Sequence, residues 1–139
     1  MSDLIGRVKE LYAAFGRGDI ATILASLAND VSWELEGPAE LAAAGIRRSP
    51  KEVIEFFGAL AGQVSDIHLD LTEFLSGEDT VAVFGRYQGT VRANGIRIDS
   101  PIAHFFKFNK DGKIMRHVQL SDTAATVEAI RGRAAAAAT

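Results

Sequence analysis

The chain has 139 residues, 47% hydrophobic and 24% charged, with a formal net charge of -3 at pH 7, which suits one globular domain and leaves too little for two cores. Acidic and basic residues are mixed along it, which excludes the basic stripe that nucleic acid requires. There is no cysteine, and so no disulfide, thiolate nucleophile or cysteine-ligated zinc.

The first half reads as helices around one strand. Leu4, Val8, Leu11, Tyr12 and Phe15 share a helical face, and Gly16 and Gly18 stop that helix. Asp19 caps a second helix, whose Ile20, Ile23, Leu24 and Leu27 repeat at i, i+3, i+4 and i+7. Residues 31 to 36 alternate as a short strand that breaks at Gly37-Pro38, and the loop beyond has little regular pattern. Ser49-Pro50-Lys51-Glu52 is a capping box with proline at the first helical position, opening a third helix that carries Val53, Phe56, Phe57 and Leu60 on one face.

The second half reads as strands over residues 64 to 76, 80 to 93, 96 to 109 and 113 to 121. Asn94-Gly95 favours a two-residue type I′ hairpin turn. Asp122 or Thr123 caps a short terminal helix, and the alanine-rich tail 134–139 is expected to fray beyond a domain of residues 1–133. A strand of about 14 residues spans ~46 Å, whereas a compact chain of this length is ~37 Å across. The sheet must therefore bend sharply, and Gly85 and Gly89 are the natural places for bends or bulges. The expected fold is α+β: a strongly curved antiparallel sheet with three N-terminal helices across its hollow side, a cone around one apolar pocket. No run approaches a membrane span, Met1-Ser2-Asp3 lacks the regions of a signal peptide, and a cytoplasmic location is expected.

Three stretches carry a family resemblance. Tyr12 to Ile20 (YAAFGRGDI) places an aromatic residue before a Gly-Asp-Ile turn, Asn29 to Trp33 (NDVSW) looks like a first strand, and His104 to Ile114 (HFFKFNKDGKI), continuing to Asp122 to Ala125 (DTAA), looks like a final hairpin. Together they resemble the superfamily of nuclear transport factor 2, ketosteroid isomerase and the SnoaL-like polyketide cyclases, which implies the cone-shaped fold. Carried across residue by residue, the resemblance places ketosteroid isomerase's general-base aspartate near Leu35, its oxyanion-hole tyrosine near Leu11 and its oxyanion-hole acid at His104. Two of those three roles are absent here, and steroid isomerase chemistry is not expected.

The candidate catalytic residues are His104 and Asp122. His104 shares strand parity with Ile102, Phe106 and Phe108; a neutral imidazole there can donate or accept a proton or polarise a carbonyl, or it can be a core histidine tied to a backbone group. Asp122 matches the aspartate that follows the last strand in SnoaL-like sequences, and can serve as acid or base or as a helix cap. His117, Gln119 and Ser121 share one parity on the final strand, against Arg116, Val118 and Leu120; either set can face inward. Tyr12, Phe15, Trp33, Phe56, Phe57, Leu60, Phe106, His117 and Gln119 are the candidate ligand contacts. His68 and Asp70 share a strand face, but three scattered histidines give no metal-ligand spacing, and no metal site is expected. Gly16-Arg-Gly-Asp-Ile-Ala21 imitates a dinucleotide fingerprint after a helix, where the motif requires a strand.

These features predict a cofactor-independent enzyme of ketosteroid isomerase or polyketide cyclase type acting on an apolar carbonyl compound. The alternative is a non-catalytic protein that binds a small hydrophobic ligand in a dimeric scaffold. Either is expected to be a homodimer joined through the outer sheet face, which carries Val118 and Leu120, with neither nucleic acid nor membrane as a partner.

Overall fold

Every helix starts on a side chain that satisfies free N–H groups of its first turn. In the structure, a computed structural model describing residues 3–133, Asp3 accepts from Gly6 N (2.8 Å) to open α1 (Leu4–Gly16). Asp19 accepts from Thr22 N (3.1 Å) to open α2 (Ile20–Ala25). The Ser49 hydroxyl accepts from Glu52 N (3.2 Å) ahead of α3 (Pro50–Gln63), and Glu52 reaches back to Arg48 N (2.9 Å), so the capping box closes one residue earlier than usual. Asp122 accepts from Ala125 N (3.1 Å) to open α4 (Thr123–Ile130). The tail 134–139 lies outside the described residues.

Among the described residues, six strands form one sheet: β1 (Leu27–Leu35), β2 (Gly45–Arg47), β3 (Val64–Ser76), β4 (Thr80–Val91), β5 (Arg97–Phe108) and β6 (Ile114–Ser121). Their order is β2-β1-β6-β5-β4-β3. The expected curved α+β sheet is what forms, with one addition: β1 runs parallel to β6, and the other pairings are antiparallel. Three further local expectations are corrected. Leu27 belongs to β1, not to α2, because its backbone pairs with Ile114. Within the loop after Pro38, residues 45–47 pair with Trp33, Glu34 and Leu35 as β2, a tertiary pairing without a periodic signal of its own. The turn at Asn94-Gly95 is not the two-residue type. β4 stops at Val91, whose carbonyl accepts from Gly95 N (2.8 Å), and only Gly95 has positive φ (75°). Tertiary bonds hold the wider loop open: Asn94 Nδ2 donates to Ala129 O (2.9 Å), and Arg92 N donates to Gln63 O (2.9 Å).

Gly85 and Gly89 mark the bends, although the bulges sit on the facing strand. Leu71 pairs with Gly85 and Glu73 with Phe84, which leaves Thr72 as an extra residue. A Cβ on Gly85 would collide with the Asp70 carbonyl oxygen and lie 2.7 Å from Leu71 Cα, so only glycine allows this approach. Nearer its start, β3 gains another residue between Ser65 and His68, where Asp66 adopts φ 52°. The resulting concave face packs against α1, α2 and α3 through a core that includes Val8, Val31, Val53, Val81 and Ile114. Among the described residues, no helix is long and apolar enough to cross a membrane.

Candidate functional site

A chamber of about 70 Å³ lies between the concave sheet face and the helices. α1 presents Leu11, Tyr12 and Phe15 to it, α2 presents Ile23, and α3 presents Phe56, Phe57 and Leu60. The sheet contributes Trp33 from β1, Ile67 and Leu69 from β3, and Tyr87 from β4, with Ile102, His104 and Phe106 from β5 and His117 and Gln119 from β6. Strand register decides this assembly: Trp33 stands beside His117, His117 beside Phe106, and Gln119 beside His104. The parity left open by the sequence is thereby fixed. His117 and Gln119 look inward, while Leu120 on the other face is 50% exposed.

Asp122 is a correction. It is exposed, it caps α4, and it is not among the residues that line the chamber. Its neighbour Ser121 does not line the chamber either. Leu35, where a steroid isomerase would hold its base, is buried outside the chamber, and Leu11 lines it as plain hydrocarbon. The residues not singled out from sequence are Ile23, Ile67, Leu69, Tyr87 and Ile102. Ile67 and Leu69 carry a period-two signal on β3, and Ile102 shares the parity of His104, so these three were within reach of strand alternation. Tyr87 shares parity with the buried Val81, Val83 and Val91.

His104 sits at the centre of the polar groups. Its Nδ1 lies 2.5 Å from the Tyr12 hydroxyl, with the two rings nearly parallel at 12° and 5.6 Å between centroids. Its partner is thus another side chain of the chamber, not a backbone group. The His117 ring stacks on Trp33 at 3.9 Å, with Phe106 at 4.7 Å and His104 at 5.1 Å. Among the described residues no Asp, Glu, Lys or Arg lines the chamber, and burial therefore acts on these groups without a compensating charge. Burial pushes His104 from 6.5 down to about 4, opposed in part by Gln119. Burial, and then the proximity of His104, holds His117 well below 6.5. Burial also raises the phenols, Tyr87 to about 12 and Tyr12 further. At neutral pH all four are uncharged.

The Tyr12 contact favours one tautomer of the neutral ring. If His104 carried its proton on Nδ1 and donated to Tyr12, both the phenolic hydrogen and Nε2 would be left without partners. If Tyr12 donates to Nδ1, only the Nε2–H is left over, the smaller cost in unmade bonds. Among the described residues, His104 Nε2, His117 Nδ1 and Trp33 Nε1 are buried without a well-formed hydrogen bond, although Gln119 stands beside His104 in the sheet and interacts with it. Buried polar groups are normally satisfied, so three unmet ones on residues lining one chamber make it the candidate site of this fold. A wider cavity of about 660 Å³, here called the mouth, adjoins the chamber, and the two share Tyr12, Phe15, Phe57, Leu60, Ile67 and Leu69.

The sequence profile of the SnoaL-like domain matches residues 8–117. The chain belongs to the SnoaL-like family. This SnoaL-like domain is similar to an NTF2-like protein from Burkholderia thailandensis, with 30% identity and a TM-score of 0.83 over 94% of this chain and 98% of that one. An NTF2-like protein of unknown function from Burkholderia pseudomallei is 27% identical, with a TM-score of 0.84 and the same coverage, 94% and 98%. TerC, co-crystallised with polyporic acid, is 28% identical with a TM-score of 0.75, over 86% of the SnoaL-like domain described here and 92% of its own chain. No curated protein matches the chain.

Proposed function

We propose that the protein binds a small apolar carbonyl compound in the chamber and moves a proton along it, in chemistry of isomerase or cyclase type. The observation that carries this reading is His104, a neutral buried imidazole in the chamber wall, whose Nδ1 is held by Tyr12 and whose Nε2 has no well-formed hydrogen bond. Its Nε2–H polarises the ligand carbonyl and stabilises the enolate oxygen in a dry, apolar setting, where a fixed donor is most effective. His117 is the neighbouring neutral imidazole and takes the proton from carbon. The C–H electron pair becomes the enolate C=C bond and the carbonyl π electrons go to oxygen. Return of the proton from His117 at the same or a conjugated carbon restores the carbonyl. Because burial makes both imidazoles weak bases, the reading favours substrates with acidic C–H bonds, such as 1,3-dicarbonyl or vinylogous compounds. That TerC was co-crystallised with polyporic acid supports a small organic occupant. Hydrogen–deuterium exchange of cyclic 1,3-diketones in D2O, followed by proton NMR, tests the reading: accelerated loss of the α-proton signal supports it. Diketones that bind without any acceleration would leave the second reading, non-catalytic binding, which is favoured by Leu11 and Leu35 at the positions of the missing catalytic groups.

We also propose that two copies join through the outer sheet face. Phe84, Ala103 and Leu120 form one cross-strand row, and Ala82, Phe105 and Val118 form the next. Phe84 is 43% exposed and Leu120 50%. Ion pairs flank these rows, Arg86 with Asp99 at 3.0 Å and Arg116 with Glu34 at 3.6 Å. An apolar centre with charges of both signs around it is complementary to its own two-fold copy. The wild-type chain is expected to sediment as a dimer at about 10 μM, a concentration at which micromolar or tighter association is visible, and Leu120→Asp as a monomer of unchanged fold. A wild-type monomer under those conditions removes the proposal.

A further inference from the structure

The mouth differs from the chamber in kind, because it carries formal charge. Its charged side chains are Asp66 and Arg92, beside His68 on the β3 lip. Arg92 is exposed, and it is held from two sides: its N–H donates to Gln63 O (2.9 Å), and its Nε donates to Ala61 O (2.6 Å). The Nε bond ties the guanidinium to the end of α3 and leaves Nη1 and Nη2 without any other hydrogen bond or ion pair among the described residues. A guanidinium edge of this kind matches two oxygens of a carboxylate or similar oxyanion.

We propose that Arg92 is the anion-recognising residue of this site, and that the ligand is an amphipathic organic acid whose apolar body enters the chamber while its oxyanion stays at the mouth. The inference rests on the reading of the chamber as a ligand site and narrows its ligand class. Two observations combine to carry it. About 70 Å³ is well short of the ~300 Å³ at which small-molecule sites begin, so a ligand of ordinary size extends into the mouth. Among the described residues the chamber also holds no cationic side chain to neutralise a charge, whereas the adjoining mouth holds Arg92. Asp66, on the neighbouring strand β3, works against an anion close to it and so biases the oxyanion towards Arg92.

A pair of fluorescent probes with one aromatic frame tests this: 8-anilinonaphthalene-1-sulfonate, which carries an anion, and N-phenyl-1-naphthylamine, which does not. Arg92→Ala is expected to weaken the sulfonate about tenfold, in the range of one charge-assisted contact, and to leave the neutral probe unchanged. Arg92→Lys should fall between, since an ammonium supplies charge without the planar edge. Asp66→Asn should tighten the sulfonate modestly, and raised salt should reduce the wild-type preference for it. Equal affinity of wild type and Arg92→Ala for the sulfonate, with both folded by circular dichroism, overturns the proposal while the chamber reading stands. Binding of neither probe to the wild type overturns the chamber reading and this inference with it.

Discussion

His104→Phe is expected to slow α-proton exchange of a bound 1,3-diketone by about 10²- to 10³-fold, the usual cost of removing one donor to a developing oxyanion. Phenylalanine keeps an aromatic ring on the face that carries Phe106 and Phe108, beside Val83 and Gln119, while removing both ring nitrogens. The expected loss therefore falls on kcat, with the fold retained and KM little changed. Tyr12→Phe separates positioning from chemistry. It removes the hydroxyl that assigns the proton of His104 to Nε2, so part of the population takes the wrong tautomer and the rate falls about tenfold. Tyr12 acts through His104 in this scheme, so the double variant should be no slower than His104→Phe alone, a marked departure from additivity. Independent losses that multiply in the double variant would remove Tyr12 from the role of positioning residue. Full activity in His104→Phe would end the proposed chemistry.

The second large effect is on stability in acid. The folded His104 takes up a proton only near pH 4, whereas the unfolded chain does so around the ordinary value of 6.5. Between those limits the unfolded state binds more protons, so acid favours unfolding; the His104 contribution is fully present above pH 6.5 and is lost as pH falls towards 4. The displacement from 6.5 to about 4 corresponds to about 3 kcal/mol at 1.36 kcal/mol per unit. His117 is shifted in the same direction and adds to the loss. Against a total stability on the order of 5–15 kcal/mol, this predicts a steep drop in the urea midpoint between pH 7 and 4, with the slope reduced in His104→Phe. A midpoint that stays flat across this range would contradict the burial of both rings.

Much of the fold was legible because its signals are local. β3 runs over the residues expected from alternation, the Ser49 capping box opens α3, and Gly85 sits where the sheet bends. What the sequence left unspecified depends on partners distant in the chain. β2 exists because Trp33, Glu34 and Leu35 offer a strand edge, and Leu27 leaves its helical spacing because Ile114 pairs with it. The Asn94-Gly95 loop widens because α3 and the end of α4 capture its polar groups.

The site shows the same division. The inward face of β5 was readable from its own periodicity. The face of β6 was not, since both of its parities mix polar with apolar residues; only the pairing of His117 with Phe106 and Gln119 with His104 settles it. Asp122 had two roles compatible with its position, and exposure decides for capping. The Tyr12–His104 contact joins residues 92 apart in sequence, and no spacing rule could pair them.

Nitrogen-15 NMR of the histidine rings, titrated from pH 7 to pH 3.5, addresses the central claim most directly. A neutral His104 with its hydrogen on Nε2 and a hydrogen-bonded Nδ1, unchanged until the pH nears 4, is the predicted result. A ring that titrates near 6.5, or one that carries its hydrogen on Nδ1, would contradict the account of a dry chamber built around a fixed donor.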